Sequence, residues 1–272
     1  MKIEKIAILG GGNLGLSIAK GFLKLNEFKK ENVIISEIRT VRVEALKKSG
    51  FNVLENNNLK AIEGADLVIV SVKPQQITEV LTGIKSAIDS HKQILISTVT
   101  GVTTGELEKL AGKIGIVRIM PNTAIEINQS MTCITCRNIS NKQEQEILTL
   151  FNRLGKAIII NEDLMGAATV IGACGIAFAL RFMRAMSQGG IEIGFSADIS
   201  QLITAQTIEG AAQLILESGN HPEKEIDKVT TPMGVTISGL NEMEHQGFSS
   251  SVIKGLLTSY NKLDQVKTNK KN

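Results

Sequence analysis

Aromatic residues are scarce in this 272-residue chain, which has eight Phe, one Tyr and no Trp. Proteins that grip single-stranded nucleic acid stack its bases on aromatic platforms, so this scarcity weighs against that class. An excess of one charge is also lacking: 30 Lys and Arg stand against 27 Asp and Glu, a net +3. The basic residues are scattered, except for a tail at 267–271 that reads as a frayed terminus. No nucleic-acid partner is expected. Only three cysteines occur, an odd number with no secretory leader before them, which argues against a disulfide framework. Cys133 and Cys136 have C-x-x-C spacing, but they fall in a strand-like stretch, 130–136, where residues three apart face opposite ways. With no second such pair and the three His scattered, no metal site is expected.

Long hydrophobic runs are missing too. The longest, 166–180, has 15 residues, short of the ~20 needed to cross a bilayer. It is rich in Gly and Ala and reads as a buried, closely packed helix, with no membrane partner. The first residues run directly into a strand-like segment without a cleavage site, so the expected location is the cytoplasm.

What is present is alternation. Strand-like runs at 5–9, 32–36, 66–72, 93–98 and 115–120 are separated by helix-like stretches at 13–25, 40–48, 75–87 and 103–111. That pattern predicts an α/β fold with parallel strands and crossover helices. Further strands are expected at 130–136 and 156–161, around a helix at 142–154. After residue 162 the strand signals stop, and helices are expected at 164–193, 197–218, 234–246 and 250–263. Two domains follow: residues 1–162, doubly wound, and residues 163–272, all-α. The helix at 197–218, with Ile199, Leu202, Ile203, Ile208, Leu214 and Ile215, is apolar around most of its circumference and needs cover on several sides. A second copy of the chain is the expected cover, giving a dimer at least.

The most informative segment follows the first strand. Gly10, Gly12 and Gly15 form G-x-G-x-x-G between a strand and a helix. In that context the first glycine makes the tight turn, the second lets backbone approach a pyrophosphate, and the third lets the helix close on the strand. The helix opening at Asn13 and Leu14 turns free N–H groups towards the anion. A Rossmann-type dinucleotide site is therefore predicted. The second strand ends at Ser36 and Glu37; Glu37 stands where an acid would hold the ribose 2′-hydroxyl of NADH, whereas Arg39 or Arg42 would meet the 2′-phosphate of NADPH. The two readings pull apart, and both cofactors stay open.

Val72-Lys73-Pro74, Met120-Pro121-Asn122-Thr123 and the stretch 227–236, D-K-V-T-T-P-M-G-V-T, complete a pattern that resembles the pyrroline-5-carboxylate reductase family, from residue 5 to about 257. The resemblance implies that Gly10–Gly15, Val72, Lys73, Pro74, Met120, Pro121 and Asn122 line the dinucleotide. It places Asn58 near the ribose, and Thr100 and Gly101 beside the nicotinamide. It implies reduction of the cyclic imine 1-pyrroline-5-carboxylate to L-proline, the last step of proline biosynthesis, with NADPH as the family's habit, and assembly as a dimer or a ring of dimers. The chain departs from the family at Lys228, Thr231, Met233 and Val235, and at 172–177, where S-G-S-G-P-A is usual.

The stretch 230–236 also makes physical sense by itself. A Thr before Pro232 reads as a helix start, so the N–H groups of Met233, Gly234, Val235 and Thr236 should converge on a carboxylate, with Thr231 beside them. An iminium is already electrophilic, whereas a ketone needs a proton donor. The helix at 164–188 carries no Lys, and no His lies between His91 and His221, which favours imine reduction over hydroxyacid chemistry. Thr236, whose hydroxyl contacts the ring nitrogen in the family, is the catalytic candidate, with positioning supplying most of the rate. Two other readings stand beside this one: a reductase of another small imine or a hydroxyacid, and a regulatory dinucleotide-binding relative without catalysis.

Overall fold

The computed structural model describes residues 2–268. From residue 269 on, the basic tail expected at 267–271 lies outside the described residues. Eight strands form one sheet: β1 (Ile6–Leu9), β2 (Val33–Glu37), β3 (Asn52–Glu55), β4 (Leu67–Val70), β5 (Ile94–Ser97), β6 (Gly115–Met120), β7 (Ser130–Arg137) and β8 (Gly155–Ile159). Their order is β3-β2-β1-β4-β5-β6-β7-β8. Helices α1 (Asn13–Leu23), α2 (Thr40–Lys48), α3 (Asn58–Ile62), α4 (Ile77–Ile84), α5 (Thr104–Ala111) and α6 (Asn141–Asn152) connect them.

The central strands are apolar on both faces because helices cover both. Ile6-Ala7-Ile8-Leu9 is fully buried, its even positions in one core layer with Phe22 and Phe151, its odd positions in the other with Leu81 and Leu107. β1 to β6 are parallel, but β7 runs antiparallel to β6. The link from Met120 to Ser130 holds only a short 3₁₀ turn, Thr123–Ile127. That is too short for a parallel crossover, which takes a dozen residues or more.

β3 and α3 were absent from the sequence expectation. β3 is an edge strand of four residues with one buried side chain, Val53, so its periodicity is too weak to read. The chain forms two compact units, one running to Cys174 and rejoined from Tyr260, the other Gly175–Ser259. The first unit thus extends beyond the expected limit at residue 162. The reason is packing: α7 (Met165–Ala168) and the π-helical turn Thr169–Cys174 bury Met165, Thr169 and Val170, with Met165 in a cluster with Met120 and Cys133.

The second unit holds α8 (Gly175–Glu192), α9 (Ala197–Ser218), α10 (Pro222–Val229), α11 (Val235–His245) and the first part of α12 (Phe248–Thr268). α10 was not expected; it is short, with Pro222 in its first turn and the His221 side chain accepting the Glu223 N–H. α8 and α9 meet where Gly190 admits Ser200, whose hydroxyl donates to the Ser187 carbonyl at 2.8 Å. The expectation of a buried helix over 166–180 holds for Thr169 and Val170 but not for its second half in the single chain. No residue of α8 is buried, and only Ser200 and Thr204 are buried in α9. Apolar residues such as Leu180, Ile193, Leu202 and Leu216 are open in the single chain. The stretch Glu162–Glu192 is long and apolar enough to cross a membrane by length and composition. An apolar surface of this kind requires a cover, since monomers rarely leave large contiguous apolar patches bare.

Candidate active site

Two of the three loop glycines are required by the fold and one is free for a ligand. Gly10 has φ +108°, donates its N–H to the Ser36 carbonyl at 2.8 Å, and a Cβ on it would collide with the Ser71 carbonyl. A Cβ on Gly15 would collide with the carbonyl of Gly10. Gly12 differs: its φ of −65° suits any residue, and a Cβ there would meet no atom within 4 Å. It faces open space at the start of α1, whose first turn has neither a side-chain cap nor an acidic residue. Uncapped N–H groups and the positive helix end make that space a cradle for an anion.

The cradle opens into a cleft of about 750 Å³ at the carboxyl ends of β1, β2 and β4. This is where the sheet order reverses and where open α/β sheets bind ligands. Of the residues expected at the cofactor, Gly10, Gly12, Asn13, Ser36, Glu37, Arg39, Asn58, Val72 and Lys73 line it. Leu14, Gly15, Pro74, Thr100, Gly101, Met120, Pro121 and Asn122 do not. Leu14 and Gly15 belong to α1, and Pro74 opens the 3₁₀ turn Pro74–Gln76. Thr100 and Gly101 form a turn after β5, Gly101 at φ +73°. The Met120 side chain is buried in a cluster with Cys133 and Met165. Asn122 is committed internally. Its N–H donates to Ser130 Oγ, its Oδ1 accepts from the Ala124 N–H, and its Nδ2 donates to the Gly172 carbonyl, each at 3.0 Å. It ties the end of β6 to the π turn.

The reading of the sequence missed Asn56, Asn57, Leu59, Gln76 and Glu79 on the cleft wall. A signal was there in the three consecutive Asn: Asn56 takes a left-handed φ of +43°, and Asn57 caps α3 by accepting the Lys60 N–H.

Glu37 does not stand free to receive a ribose. Its side chain is 5% exposed, its Oε2 accepts the Gly11 N–H at 3.0 Å, and its Oε1 accepts the Arg39 N–H and Nε at 3.0 Å each. Arg39 Nη2 adds a fourth bond at 3.2 Å, and Arg42 Nε donates to the Gly11 carbonyl at 2.9 Å. Burial alone would raise the Glu37 carboxyl, but the Arg39 side-chain and backbone bonds, its charge and the Gly11 N–H outweigh burial and hold it below the ordinary range. Arg39 is 64% exposed but Glu37 is buried, so losing the guanidinium would leave that buried carboxylate with only the Gly11 and Arg39 N–H groups. Turning the guanidinium from Glu37 to another anion therefore has a cost that the new anion must offset.

In the second unit the stretch 230–236 is folded differently from the helix start expected at Thr230 or Thr231. Thr231-Pro232-Met233-Gly234 is a reverse turn closed by the Gly234 N–H on the Thr231 carbonyl at 2.9 Å. Met233 takes φ +58°. Pro second and a positive φ third define a type II turn, which favours Gly at the third position, where this chain has Met233. α11 begins after Gly234, its N-cap, so Gly234 has spent its N–H, and the open first-turn donors belong to Val235 and Thr236. The Met233 side chain is fully exposed in the single chain.

Cys133 and Cys136 are free thiols on opposite faces of the sheet, Cys133 beside Met165 and Cys136 against the layer of Phe22 and Phe151. Burial, followed by the charge of Glu144, pushes the Cys136 thiol up to about 12. Among the described residues no three His, Cys, Asp or Glu are grouped to hold a metal ion.

Comparison with known proteins matches two family models to separate parts of the chain. A family model described as pyrroline-5-carboxylate reductase dimerisation matches residues 162–266, and one described as NADP oxidoreductase, coenzyme F420-dependent, matches residues 5–101. The chain is similar to pyrroline-5-carboxylate reductase 1 of Dictyostelium discoideum, 43% identical over 97% of this chain and 50% of that protein, half of whose length it spans. To pyrroline-5-carboxylate reductase 2 of the same organism it is 40% identical, over 95% of this chain and 92% of the relative. Among solved structures it resembles the Plasmodium falciparum pyrroline carboxylate reductase with NADP bound, with TM-score 0.88 and 26% identity over 98% of this chain and 99% of that one.

Proposed function

The chain belongs to the pyrroline-5-carboxylate reductase family, and from that premise we propose that it reduces 1-pyrroline-5-carboxylate to L-proline as a step of proline biosynthesis. The observation that carries this reading is the glycine loop, in which the fold occupies Gly10 and Gly15 and leaves Gly12 open at an uncapped helix start. When bound, the dinucleotide supplies hydride to the C=N carbon. The chain's own share is to hold its partners in place. Backbone N–H groups at Gly12, Asn13 and Leu14 take the pyrophosphate, Val72, Lys73 and Asn58 flank the cofactor, and the Thr100–Gly101 turn with Pro121 borders the nicotinamide.

NADPH is the proposed cofactor, as NADP is in the Plasmodium falciparum structure. Arg39, released from Glu37, meets the 2′-phosphate, and with NADH it stays on Glu37. Arg39→Ala is expected to lower kcat/KM with NADPH about fivefold to tenfold relative to NADH, the loss of one exposed charge-assisted bond. A ratio that does not move would put the 2′-phosphate elsewhere.

The substrate carboxylate is assigned to the first-turn N–H groups of Val235 and Thr236, beside Thr231, Met233 and Gly234. The Thr236 hydroxyl serves the ring nitrogen. No strong general acid is required, because the protonated imine is electrophilic. Thr236→Ala is expected to lower kcat about tenfold, ~1.4 kcal/mol, not the many decades lost with a nucleophile. Full activity in Thr236→Ala, with loss on mutating Arg181 or Arg184, would move the substrate onto α8.

Residues 1–162 are proposed as the dinucleotide-binding part and residues 163–272 as the part for substrate and self-association, in dimers or rings of dimers, in the cytoplasm. The deciding experiment follows NADPH and NADH absorbance with and without 1-pyrroline-5-carboxylate. No substrate-dependent consumption with either cofactor would overturn the function.

A further inference from the structure

One buried charged group has no part in the chemistry above. Arg118 lies on β6 between Ile116 and Met120, its side chain 6% exposed. Its Nη1 donates to Glu162 Oε1 at 3.3 Å, and its Nε has no hydrogen-bond partner. Glu162 is bound tightly at its other side: Oε1 accepts the Thr104 N–H and Oε2 the Thr104 hydroxyl, both at 2.6 Å. Thr104 is the first residue of α5, so that N–H is one of the donors a helix start leaves over. The neighbouring cap is local, with the Thr103 hydroxyl accepting the Glu106 N–H. A carboxylate 58 residues along the chain therefore completes the start of α5, and a buried guanidinium backs that carboxylate.

Stability is a poor reason for this arrangement. A buried ion pair is often no more stabilising than apolar side chains of the same volume, and here one guanidinium nitrogen is left unsatisfied. Position is a better reason. The turn Thr100–Gly101 runs from the carboxyl end of β5 into the α5 cap, anchored on each side by Val99 and Val102, both buried. It lies on the sheet edge that carries Gly10 and Ser71 at the ends of β1 and β4. Glu162 grips the residue next after the Thr103 cap.

We propose that Arg118 and Glu162 are positioning residues for the reductase reaction: they clamp the first turn of α5 and thereby hold the Thr100–Gly101 turn at the height the reaction requires. This rests on the reading of that turn as the nicotinamide border. A displacement of about 1 Å at a reacting centre can cost on the order of 100-fold in rate, so the clamp should act on turnover and leave the cofactor's distant adenosine end untouched.

The test compares wild type with Glu162→Gln, which removes the charge at constant size, and with Thr104→Val and Thr104→Ser, which remove and keep the hydroxyl. Three quantities are read: kcat with 1-pyrroline-5-carboxylate, the NADPH dissociation constant without substrate, and amide hydrogen exchange at residues 101–104. The expected result is kcat lowered about tenfold in Glu162→Gln and Thr104→Val, recovery in Thr104→Ser, an unchanged NADPH constant, and faster exchange at 101–104 with β6 still protected. Unchanged exchange at 101–104 in folded variants overturns the clamp, whatever the turnover. Equal losses of kcat, NADPH affinity and global protection also overturn it, by reducing the pair to a structural one. A wild type inert towards the substrate, with exchange shifted in the variants as expected, sinks the assigned reaction and leaves the clamp standing.

Discussion

Gly12→Val is expected to abolish dinucleotide binding and leave the fold intact. A Cβ at Gly12 meets nothing within 4 Å, and the φ of −65° there is open to any residue. The added isopropyl group therefore projects into the space where the pyrophosphate must sit. Charge-assisted hydrogen bonds contribute about 1.5–3 kcal/mol each, so losing two raises the dissociation constant roughly 10²- to 10⁴-fold. The neighbouring glycines supply the contrast. Gly10→Ala forces a side chain into a left-handed backbone at φ +108° and against the Ser71 carbonyl, and Gly15→Ala drives one into the Gly10 carbonyl. Both should unfold or distort the protein before binding can be asked about, with left-handed φ alone costing about 1–2 kcal/mol. The measurement is titration of NADPH and NADH against Gly12→Val with its melting temperature beside it. A folded variant with unchanged dissociation constants would remove the cofactor from this loop.

Leu202→Asp is expected to convert the assembly to monomers. Self-association follows from the dimerisation family that residues 162–266 match. Leu202 is 69% exposed in the single chain, in a 22-residue helix with only Ser200 and Thr204 buried. Burying one Leu contributes about 1.5–3 kcal/mol, and a two-fold interface contains each residue twice. Removing both copies therefore weakens association by ~3–6 kcal/mol, roughly 10²- to 10⁴-fold, before the cost of burying two carboxylates is added. Light scattering at micromolar concentration should report a dimer or larger for the wild type and the monomer mass for the variant. An unchanged mass would place the seam away from this face of α9.

Periodicity and punctuation were enough for much of the fold. β1, β2, β4, β5 and β6 are buried on both faces, so each is written mostly in apolar residues, with Ser36, Glu37, Ser97 and Arg118 as buried exceptions, and the runs alternate with amphipathic helices. Chain adjacency alone therefore made the parallel sheet legible. The glycine loop was legible because its spacing falls between a strand and a helix, with Gly10 and Gly15 required by backbone contacts and Gly12 left open, and the family resemblance was legible in motifs that lie on loops and helix starts.

What the sequence did not reveal depends on which groups meet in space. Glu37 read as a ribose ligand by its place at the end of β2, but Gly11 and Arg39 already occupy its carboxylate. Asn122 and Met120 read as lining the cofactor by motif; the spacing did not show that Asn122 also ties to Gly172 or that the Met120 side chain packs with Cys133 and Met165. The left-handed Met233 was hidden because side-chain identity at that position gives no sign of a type II turn; only the backbone does. The Arg118–Glu162–Thr104 cluster joins three segments distant in sequence and has no periodicity to betray it. The sequence by itself determined the central strands, their longer crossover helices, the long C-terminal helices and the cradle at Gly12, because these follow from the motif's local setting and from which faces are apolar. Only the tertiary structure decided which polar groups were already spent on one another, because a hydrogen bond's partner is set by three-dimensional proximity and desolvation, and neither is written in the spacing of residues along the chain.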